Sequence, residues 1–118
     1  MLEQLDDIAL VRLFKENKQR EQVFTAIVKR YQERIYWQIR RLVVSHDDAD
    51  DVMQNVFIKA WNALENFRED AKLFTWLYRI ATNESLTFLD QAKRRSSVSY
   101  DDISDTLENK LHSFHRSK

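Results

Sequence analysis

The absence of both glycine and proline constrains this 118-residue chain more than any other feature. Average usage of about 7% and 5% predicts roughly eight glycines and six prolines at this length. Glycine supplies the positive φ angles of tight hairpins and phosphate-binding loops, and proline interrupts regular structure. A chain without either is poorly suited to a hairpin-rich sheet or to a phosphate-cradling loop. We therefore expect an all-α fold.

Length and composition add three further expectations. A chain of 118 residues is long enough for one domain with its own hydrophobic core. Cysteine is absent, which rules out disulfides and thiolate metal sites and fits a reducing compartment. We find neither a signal-peptide pattern nor an apolar run of the roughly 18–20 residues that a membrane span needs. The sequence therefore predicts a soluble protein, and the cytoplasm is its expected location.

Apolar residues recur at helical spacing in four segments, which predicts a compact bundle of about four helices. The predicted helices cover residues 6–16, 20–44, 48–64 and 70–94, with a short loop over 65–69. In the first helix, Asp6 or Asp7 is expected to act as the cap. The side chains expected to face inward from that helix are Ile8, Val11 and Phe14.

Beyond Arg95 the sequence becomes serine-rich and polar, with only weak apolar periodicity. That periodicity runs through Ile103, Leu107 and Leu111 and predicts at most one short, marginal helix. We therefore predict a domain over residues 1–95 and a weakly structured linker over residues 96–118.

The third predicted helix has one apolar face and one polar face that includes an isoleucine. At 100° per residue, the apolar face collects Val52, Met53, Val56, Phe57, Ala60, Ala63 and Leu64. The opposite face carries Asp48, Asp51, Gln54, Asn55, Ile58 and Asn62. The acids at the head of this helix allow three interpretations.

The first interpretation is helix capping, which fits Asp47 and Asp48. Ser45 followed by Asp48 resembles a capping box, and acids in a first turn stabilise the helix dipole by about 0.3–1 kcal/mol. The second is a magnesium-diphosphate site, because DDADD matches the DDxxD motif of helical prenyl-transferring enzymes. Such a site needs a second acidic motif and a deep cavity, and the sequence offers neither. The third is a protein-binding face, in which Asp51, the two amides and Ile58 combine orienting hydrogen bonds with a small apolar centre.

Three stretches of the chain resemble one known family, in that family's order. DADDVMQNVFIKAW, residues 48–61, resembles D-A-E-D-hydrophobic-x-Q-E-hydrophobic-F-hydrophobic-K-A. That pattern marks the region 2.2 helix of sigma-70-type transcription initiation factors of the extracytoplasmic-function (ECF) group. FREDAKLFTWLYRIATNES, residues 67–85, resembles the group's F-R-G-D-S-x-F-x-T-W-L-Y-R-I-A-x-N. FTAIVKRYQERIYWQIRRLV, residues 24–43, fits its first conserved region, so the resemblance covers about residues 5–95.

The resemblance implies that the third helix docks on the clamp helices of the largest subunit of RNA polymerase. Carried over by position, the polymerase-binding residues would be Asp48, Asp51, Gln54, Asn55 and Ile58. Asn55 departs from the family's usual glutamate, which removes one charge. On this interpretation the leading acids cap the helix and the later residues bind a partner.

The resemblance also implies that the fourth helix and the preceding loop open the promoter and recognise its −10 element. The expected DNA-binding residues are Asn66, Phe67, Arg68, Lys72, Thr75, Trp76, Tyr78, Arg79, Asn83, Lys93, Arg94 and Arg95. The loop 66–72 would hold an extruded base. Glu69 stands where the family often has glycine and Ala71 where it often has serine, so the base preference does not carry over.

Several of these assignments have a structural alternative. Trp76 and Tyr78 lie at helical spacing and can belong to the core, and the basic cluster at 93–95 can simply offset the helix dipole. On the second helix, an edge formed by Arg30, Arg34 and Arg41 beside Trp37 could be a further phosphate track. Solvated charges are the favoured interpretation of that edge. Glu84 lies toward the apolar side of the fourth helix, either at its rim or in a buried pair.

The net charge of the chain is zero, with 19 basic and 19 acidic residues. A free-standing duplex DNA binder normally carries a basic excess. The resemblance reconciles these facts, because the polymerase would supply affinity and this chain selectivity.

The sequence predicts no enzymatic activity, no metal site and no cofactor. His46, His112 and His115 form no HExxH pattern, and we recognise no serine, histidine and acid arrangement. If the chain acts as the resemblance implies, catalysis belongs to the polymerase.

A complete factor of this group has a second helical domain that reads the −35 element. The residues after Arg95 are too few and too polar to form it, so we expect the first domain and part of the linker. An anti-sigma factor is a further candidate partner. The alternative function is a helical interaction module, or decoy, that occupies the polymerase clamp without opening DNA.

Overall fold

The computed structural model describes residues 2–96, and all regular structure in that range is helical. Its four α-helices are α1 (Asp7–Lys15), α2 (Arg20–Leu42), α3 (His46–Ala63) and α4 (Leu73–Ser96). Two short 3₁₀ helices, Leu2–Gln4 and Leu64–Asn66, precede α1 and follow α3. The all-α prediction is thus confirmed. Of the linker predicted over residues 96–118, Ser96 is the last residue of α4, and residues 97–118 lie outside the described residues. Contacts divide the chain into two units, Met1–Leu86 and Thr87–Lys118, with the boundary inside α4.

Side-chain caps set the starts of α1 and α3. The carboxylate of Asp6 accepts a hydrogen bond from the backbone nitrogen of Ala9 at 2.9 Å, as the capping prediction required. The hydroxyl of Ser45 accepts one from the backbone nitrogen of Asp48 at 3.0 Å. Because Ser45 is the cap, α3 begins at His46, two residues before the predicted start.

Two other helix ends were predicted wrongly. Val43 is extended, with φ −114° and ψ 126°, so α2 ends at Leu42 rather than at residue 44. A turn closed by the hydrogen bond from the Ala71 nitrogen to the Arg68 oxygen, 3.1 Å, precedes α4. The helix therefore starts at Leu73 instead of residue 70.

The turn between α1 and α2 adopts left-handed backbone geometry without glycine. Asn17 has φ 59° and Gln19 has φ 51°. Asparagine tolerates this region, whereas for most L-residues it costs roughly 1–2 kcal/mol relative to the right-handed form. Gln19 is also the N-cap of α2, and its side chain makes no capping hydrogen bond. No such bond therefore offsets the cost of its left-handed geometry.

The core of residues 2–86 forms around α2, which packs against both α1 and α3. Its buried side chains are Val23, Ala26, Ile27, Tyr31, Ile35, Gln38 and Ile39. From α3 the core receives Ala49, Val52, Val56 and Ala60. The first part of α4 buries Leu73, Leu77, Ala81 and Ser85, a stripe at four-residue spacing. The buried Ser85 hydroxyl donates to the Ala81 carbonyl at 2.8 Å, so no polar group is stranded there.

The prediction that Ile8 faces inward is wrong. Its side chain is 50% exposed, while Leu10, Val11 and Phe14 are fully buried. On a helical wheel, Ile8 lies roughly 100° from the centre of the stripe that these three residues form. It points instead toward a surface pocket described below.

A polar cluster joins the start of α1 to α2. Asp7 forms an ion pair with Arg30 at 2.8 Å and accepts a hydrogen bond from the hydroxyl of Tyr31. Arg30 also donates to the carbonyl oxygens of Glu3 and Leu5, at 3.0 and 2.6 Å. Burial, and then the hydrogen bond to Asp7, raise the pKa of Tyr31 to about 12. This cluster holds the first 3₁₀ helix and α1 against α2.

Candidate functional site

The polar face predicted for the third helix is exposed in the structure. Asp51, Gln54 and Asn55 are exposed, and the Ile58 side chain is 58% exposed. We call these four residues the α3 strip. They lie within about two turns of one helix, whose other face is anchored by the buried stripe. Asp48 is half-buried in the first turn, where its backbone nitrogen is engaged by the cap.

An apolar groove of about 450 Å³ adjoins the α3 strip. Its lining residues are Phe24, Met53, Gln54, Phe57, Ile58 and Trp61. Trp61 packs edge-on against Phe14 and Phe24, with ring centroids 5.2 and 5.3 Å apart, yet it remains 37% exposed. The sequence placed Met53 and Phe57 on the apolar face but gave no sign of a groove. The groove depends on Phe24 from α2, a partner that helical periodicity within α3 does not reveal.

An ion pair links α3 to α4. Lys59 contacts Glu84 at 2.5 Å, and the Glu84 side chain is only 10% exposed. Of the two alternatives left open for Glu84, the structure shows a pairing in which the carboxylate is nearly buried and the lysine is exposed. The contact fixes the position of α3 relative to the first part of α4.

The loop before α4 is fastened to α1 and to the start of α2. Lys15 donates to the carbonyl oxygen of Phe67 at 2.5 Å, and Arg12 pairs with Glu69 at 3.2 Å. Arg20 pairs with Glu65 at 3.5 Å. These contacts were missed by sequence reasoning, because pairs more than 40 residues apart leave no local pattern.

Two aromatic residues of the predicted DNA set support the loop from inside. Phe67 is 5% exposed and packs against Trp76, with ring centroids 5.2 Å apart at 65°. Phe67 also lines the pocket described in the next paragraph, so its predicted contact with DNA remains a prediction. Trp76 is half-buried, which agrees with the expectation that it packs at least partly.

A pocket of about 480 Å³ lies between this loop and the start of α1. Its walls include the exposed Ile8 and the rings of Tyr31 and Phe74. Its charged lining residues are Asp6, Asp7, Glu69, Asp70 and Lys72. Asp7, Glu69 and Asp70 are each paired with an arginine, and the apolar part of the lining leaves room for a neutral planar occupant.

The outer face of α4 displays the remaining predicted side chains. Those exposed on the loop and on the first part of α4 are Asn66, Arg68, Lys72, Thr75, Arg79 and Asn83. Tyr78 is 38% exposed, and its ring lies 5.9 Å from that of Phe74. Arg68, 84% exposed, pairs with Asp70 at 3.3 Å, which braces the loop. Hydroxyl, amide, guanidinium and aromatic groups thus occupy one helical face.

The predicted basic cluster belongs to the second unit. Lys93, Arg94 and Arg95 are exposed in the last turns of α4. Arg94 pairs with Asp90 at 3.1 Å, one turn earlier. The cluster carries an excess of positive charge at the helix end, where cations are also favoured by the dipole.

One acid near the head of α3 makes a contact within the helix. Asp50 pairs with His46 at 3.1 Å across one helical turn. Within residues 2–96, no three histidine or acidic residues are grouped so that they could hold a metal ion. In the same range, no helix has the length and apolarity required to cross a bilayer.

Comparisons with known proteins agree on one family. The family model described as sigma-70 region 2 matches residues 27–95. The ECF RNA polymerase sigma-E factor of Haemophilus influenzae is 40% identical over 95 residues, which are 80% of this chain and 49% of that protein. The sigma-E factor of Escherichia coli K12 is 42% identical over 95 residues, 80% of this chain and 48% of that protein. This chain therefore spans about half the length of these curated relatives.

A solved structure shows the same likeness. It is the NMR structure of an engineered region 2 of sigmaE in complex with GTAAAA. That chain is 40% identical in sequence and matches with a TM-score of 0.73. The match covers 83% of this chain and 100% of the other.

Proposed function

The chain belongs to the sigma-70 family through its region 2, and we propose that it docks on the RNA polymerase clamp helices and recognises and helps to melt the promoter −10 element. The two tasks use different surfaces. The α3 strip binds the polymerase, and the loop before α4 together with the outer face of α4 binds the DNA. A protein with these partners acts in the cell interior.

The exposure of the α3 strip is the observation that carries this proposal. The aspartate and the two carboxamides are well solvated in water, but the isoleucine is not. Burying Ile58 against a partner would remove its apolar surface from water. At an interface, the polar groups orient the partner and the isoleucine supplies a desolvated centre. The adjoining groove, with Met53 and Trp61 in its lining, extends that apolar centre.

The outer face of α4 suits single-stranded DNA. Thr75, Arg79 and Asn83 are exposed groups that hydrogen-bond or pair with phosphates, and Tyr78 offers a partly exposed ring. Lys93 and Arg95 belong to the second unit and are proposed separately as phosphate contacts, because both are exposed cations. None of these groups requires a duplex.

The loop pocket suits an extruded base better than a phosphate. Its lining carries four acidic residues against one lysine, so a phosphate gains little there, whereas the rings of Tyr31, Phe67 and Phe74 suit an uncharged planar base. Extruding a base costs a few kcal/mol, and stacking returns roughly 1–3 kcal/mol per base. Because these energies nearly cancel, binding to the polymerase must supply the remainder. That requirement explains how a chain of zero net charge can act on DNA.

A crosslinking experiment tests the DNA half of the proposal. The full chain, carrying a photoreactive group at Thr75, is mixed with core polymerase and a promoter fragment. We expect crosslinks to the non-template −10 strand only when polymerase is present, and fewer when Arg79→Ala is added. Glu16→Ala, in the α1–α2 turn, serves as the control. Binding to polymerase without any −10 crosslink would instead identify a decoy that occupies the clamp.

A further inference from the structure

A second exposed surface lies on α2, outside the regions assigned above. Arg34, Trp37 and Arg41 are spaced at i, i+3 and i+7 and therefore share one face of the helix. All three are exposed, and the Trp37 side chain is 55% exposed. We call these three residues the α2 surface. An indole this exposed, between two cations, has no role in the core.

The contacts of the neighbouring arginine separate this surface from ordinary structural charge. Arg30, grouped with Arg34 and Arg41 in the sequence, is held by Asp7 and two carbonyl oxygens. Arg34 and Arg41 form no ion pair within residues 2–96. Their charge is therefore available to an anionic partner.

The α2 surface adjoins the outer face of α4. The guanidinium of Arg34 stacks over the ring of Phe74 at 3.9 Å, and that ring contacts Tyr78. Arg41 donates to the side chain of Gln38, 3.5 Å away. Gln38 in turn donates to the hydroxyl of Thr82 on α4 at 3.4 Å. These contacts hold the α2 surface beside the face proposed to bind the −10 strand.

We infer that the α2 surface binds single-stranded DNA, stacking one unpaired base on Trp37 and pairing neighbouring phosphates with Arg34 and Arg41. Seven residues of helix separate the two arginines by about 10 Å, a distance that accommodates more than one phosphate. An exposed ring flanked by cations is the arrangement that binds unpaired strands without regard to sequence.

The chemistry of the surface favours an unpaired strand over other partners. In a duplex the base faces are stacked on one another, so Trp37 would have nothing to stack on. An apolar protein segment would offer no acidic groups to pair with Arg34 and Arg41. The inference goes beyond −10 recognition, but it rests on the proposed function in that promoter opening supplies the unpaired strand.

Fluorescence anisotropy with the full chain tests the role of Trp37. The probes are a fluorescein-labelled 15-nucleotide single strand and the matching duplex, both at 50 mM salt. We expect Trp37→Leu to weaken single-strand binding about fivefold or more, since a base stacked on an aromatic residue contributes strongly to affinity. Trp37→Phe keeps an aromatic ring and should stay within about threefold of the unaltered chain. The duplex should bind more weakly and be insensitive to Trp37→Leu.

The salt dependence of the same binding tests the cations. Each phosphate contact on a single strand adds about 0.7 to the slope of log affinity against log salt concentration. Arg41→Gln should therefore lower the slope by about 0.7. Lys29→Gln removes one positive charge from another face of α2 and should leave the slope unchanged.

The outcomes separate this inference from the proposed function. If Arg79→Ala weakens single-strand binding while Trp37→Leu and Arg41→Gln stay within twofold of the unaltered chain, the α2 surface is overturned and the proposed function stands. If the unaltered chain binds the duplex as tightly as the single strand, stacking on Trp37 is overturned. If it binds neither probe, the α2 surface is overturned, while the crosslinking experiment with core polymerase still decides the DNA half of the proposed function.

Discussion

Single residues carry much of the order in this chain, and Asp7 is the clearest case. The sequence offered Asp6 and Asp7 as equivalent candidates for the cap of α1. In the structure Asp6 caps, while Asp7 binds Arg30 and Tyr31 on α2. The two adjacent acids differ because only the second points across to the neighbouring helix.

The raised pKa of Tyr31 predicts a loss of stability at alkaline pH. The unfolded tyrosine ionises near pH 10, whereas burial and then the bond to Asp7 raise the folded pKa to about 12. Tyr31 therefore contributes its full stabilisation below pH 10, and this is lost as the pH rises toward 12. The expected loss is up to about 2–3 kcal/mol in the free energy of unfolding. Urea unfolding at pH 9 and pH 11 checks this, and Tyr31→Phe should remove that part of the pH dependence.

The left-handed geometry of Gln19 predicts that glycine stabilises this position. Gln19→Gly relieves the strain of φ 51° but gives the unfolded chain more freedom. The balance should raise the free energy of unfolding by up to about 1 kcal/mol. Lys18→Gly is the control, because Lys18 lies next to it without a positive φ. That variant should be less stable than the unaltered chain, and equal effects of the two substitutions would contradict this account.

Among the elements, helix centres could be predicted from the sequence and helix ends could not. The stripe through Ile27, Tyr31, Ile35 and Ile39 is a strong periodic signal, and all four side chains are buried. The start of α4 depends instead on a turn within the loop, whose signal in the sequence is weak. Helical periodicity describes one element at a time and does not identify the element that it packs against.

The same limit applies to the candidate sites. The α3 strip was predicted because a helical wheel separates Asp51, Gln54 and Ile58 from the core. The loop was harder, because its geometry depends on distant residues. Phe67 matched a family motif as a DNA contact, and the structure packs it against Trp76 in the lining of the loop pocket, an arrangement that the motif alone does not reveal. The contacts of Lys15 and Arg12 with the loop join residues more than 50 positions apart, and a single sequence carries no signal for them.

The ion pair between α3 and α4 predicts an asymmetric response to substitution. Lys59→Met leaves the nearly buried Glu84 carboxylate unpaired, which should lower the free energy of unfolding by about 1–3 kcal/mol. Adding Glu84→Gln removes the charge and should restore part of that loss. Thermal unfolding of the two variants checks this. Equal stability of Lys59→Met and the unaltered chain would show that the pair contributes nothing.

Across the whole molecule, the balance of charge and the placement of exposed groups fit a protein that works inside a larger assembly. The net charge is zero. The cations of Arg34, Arg41 and Arg79 lie on α2 and α4, whereas Asp51, the acid of the α3 strip, lies on α3. Such a chain has little general attraction to DNA. It needs the polymerase to hold it near the promoter, and the α3 strip is the surface proposed for that contact.

The dissociation constant of the full chain for core RNA polymerase tests the central claim most directly. Asp51→Arg reverses the charge at the N-terminal end of the α3 strip without touching the core, so we predict binding weaker by about tenfold or more. Glu16→Arg makes the same change of charge in the α1–α2 turn and should leave the constant within twofold. Asp51→Arg binding core polymerase as tightly as Glu16→Arg would contradict the account.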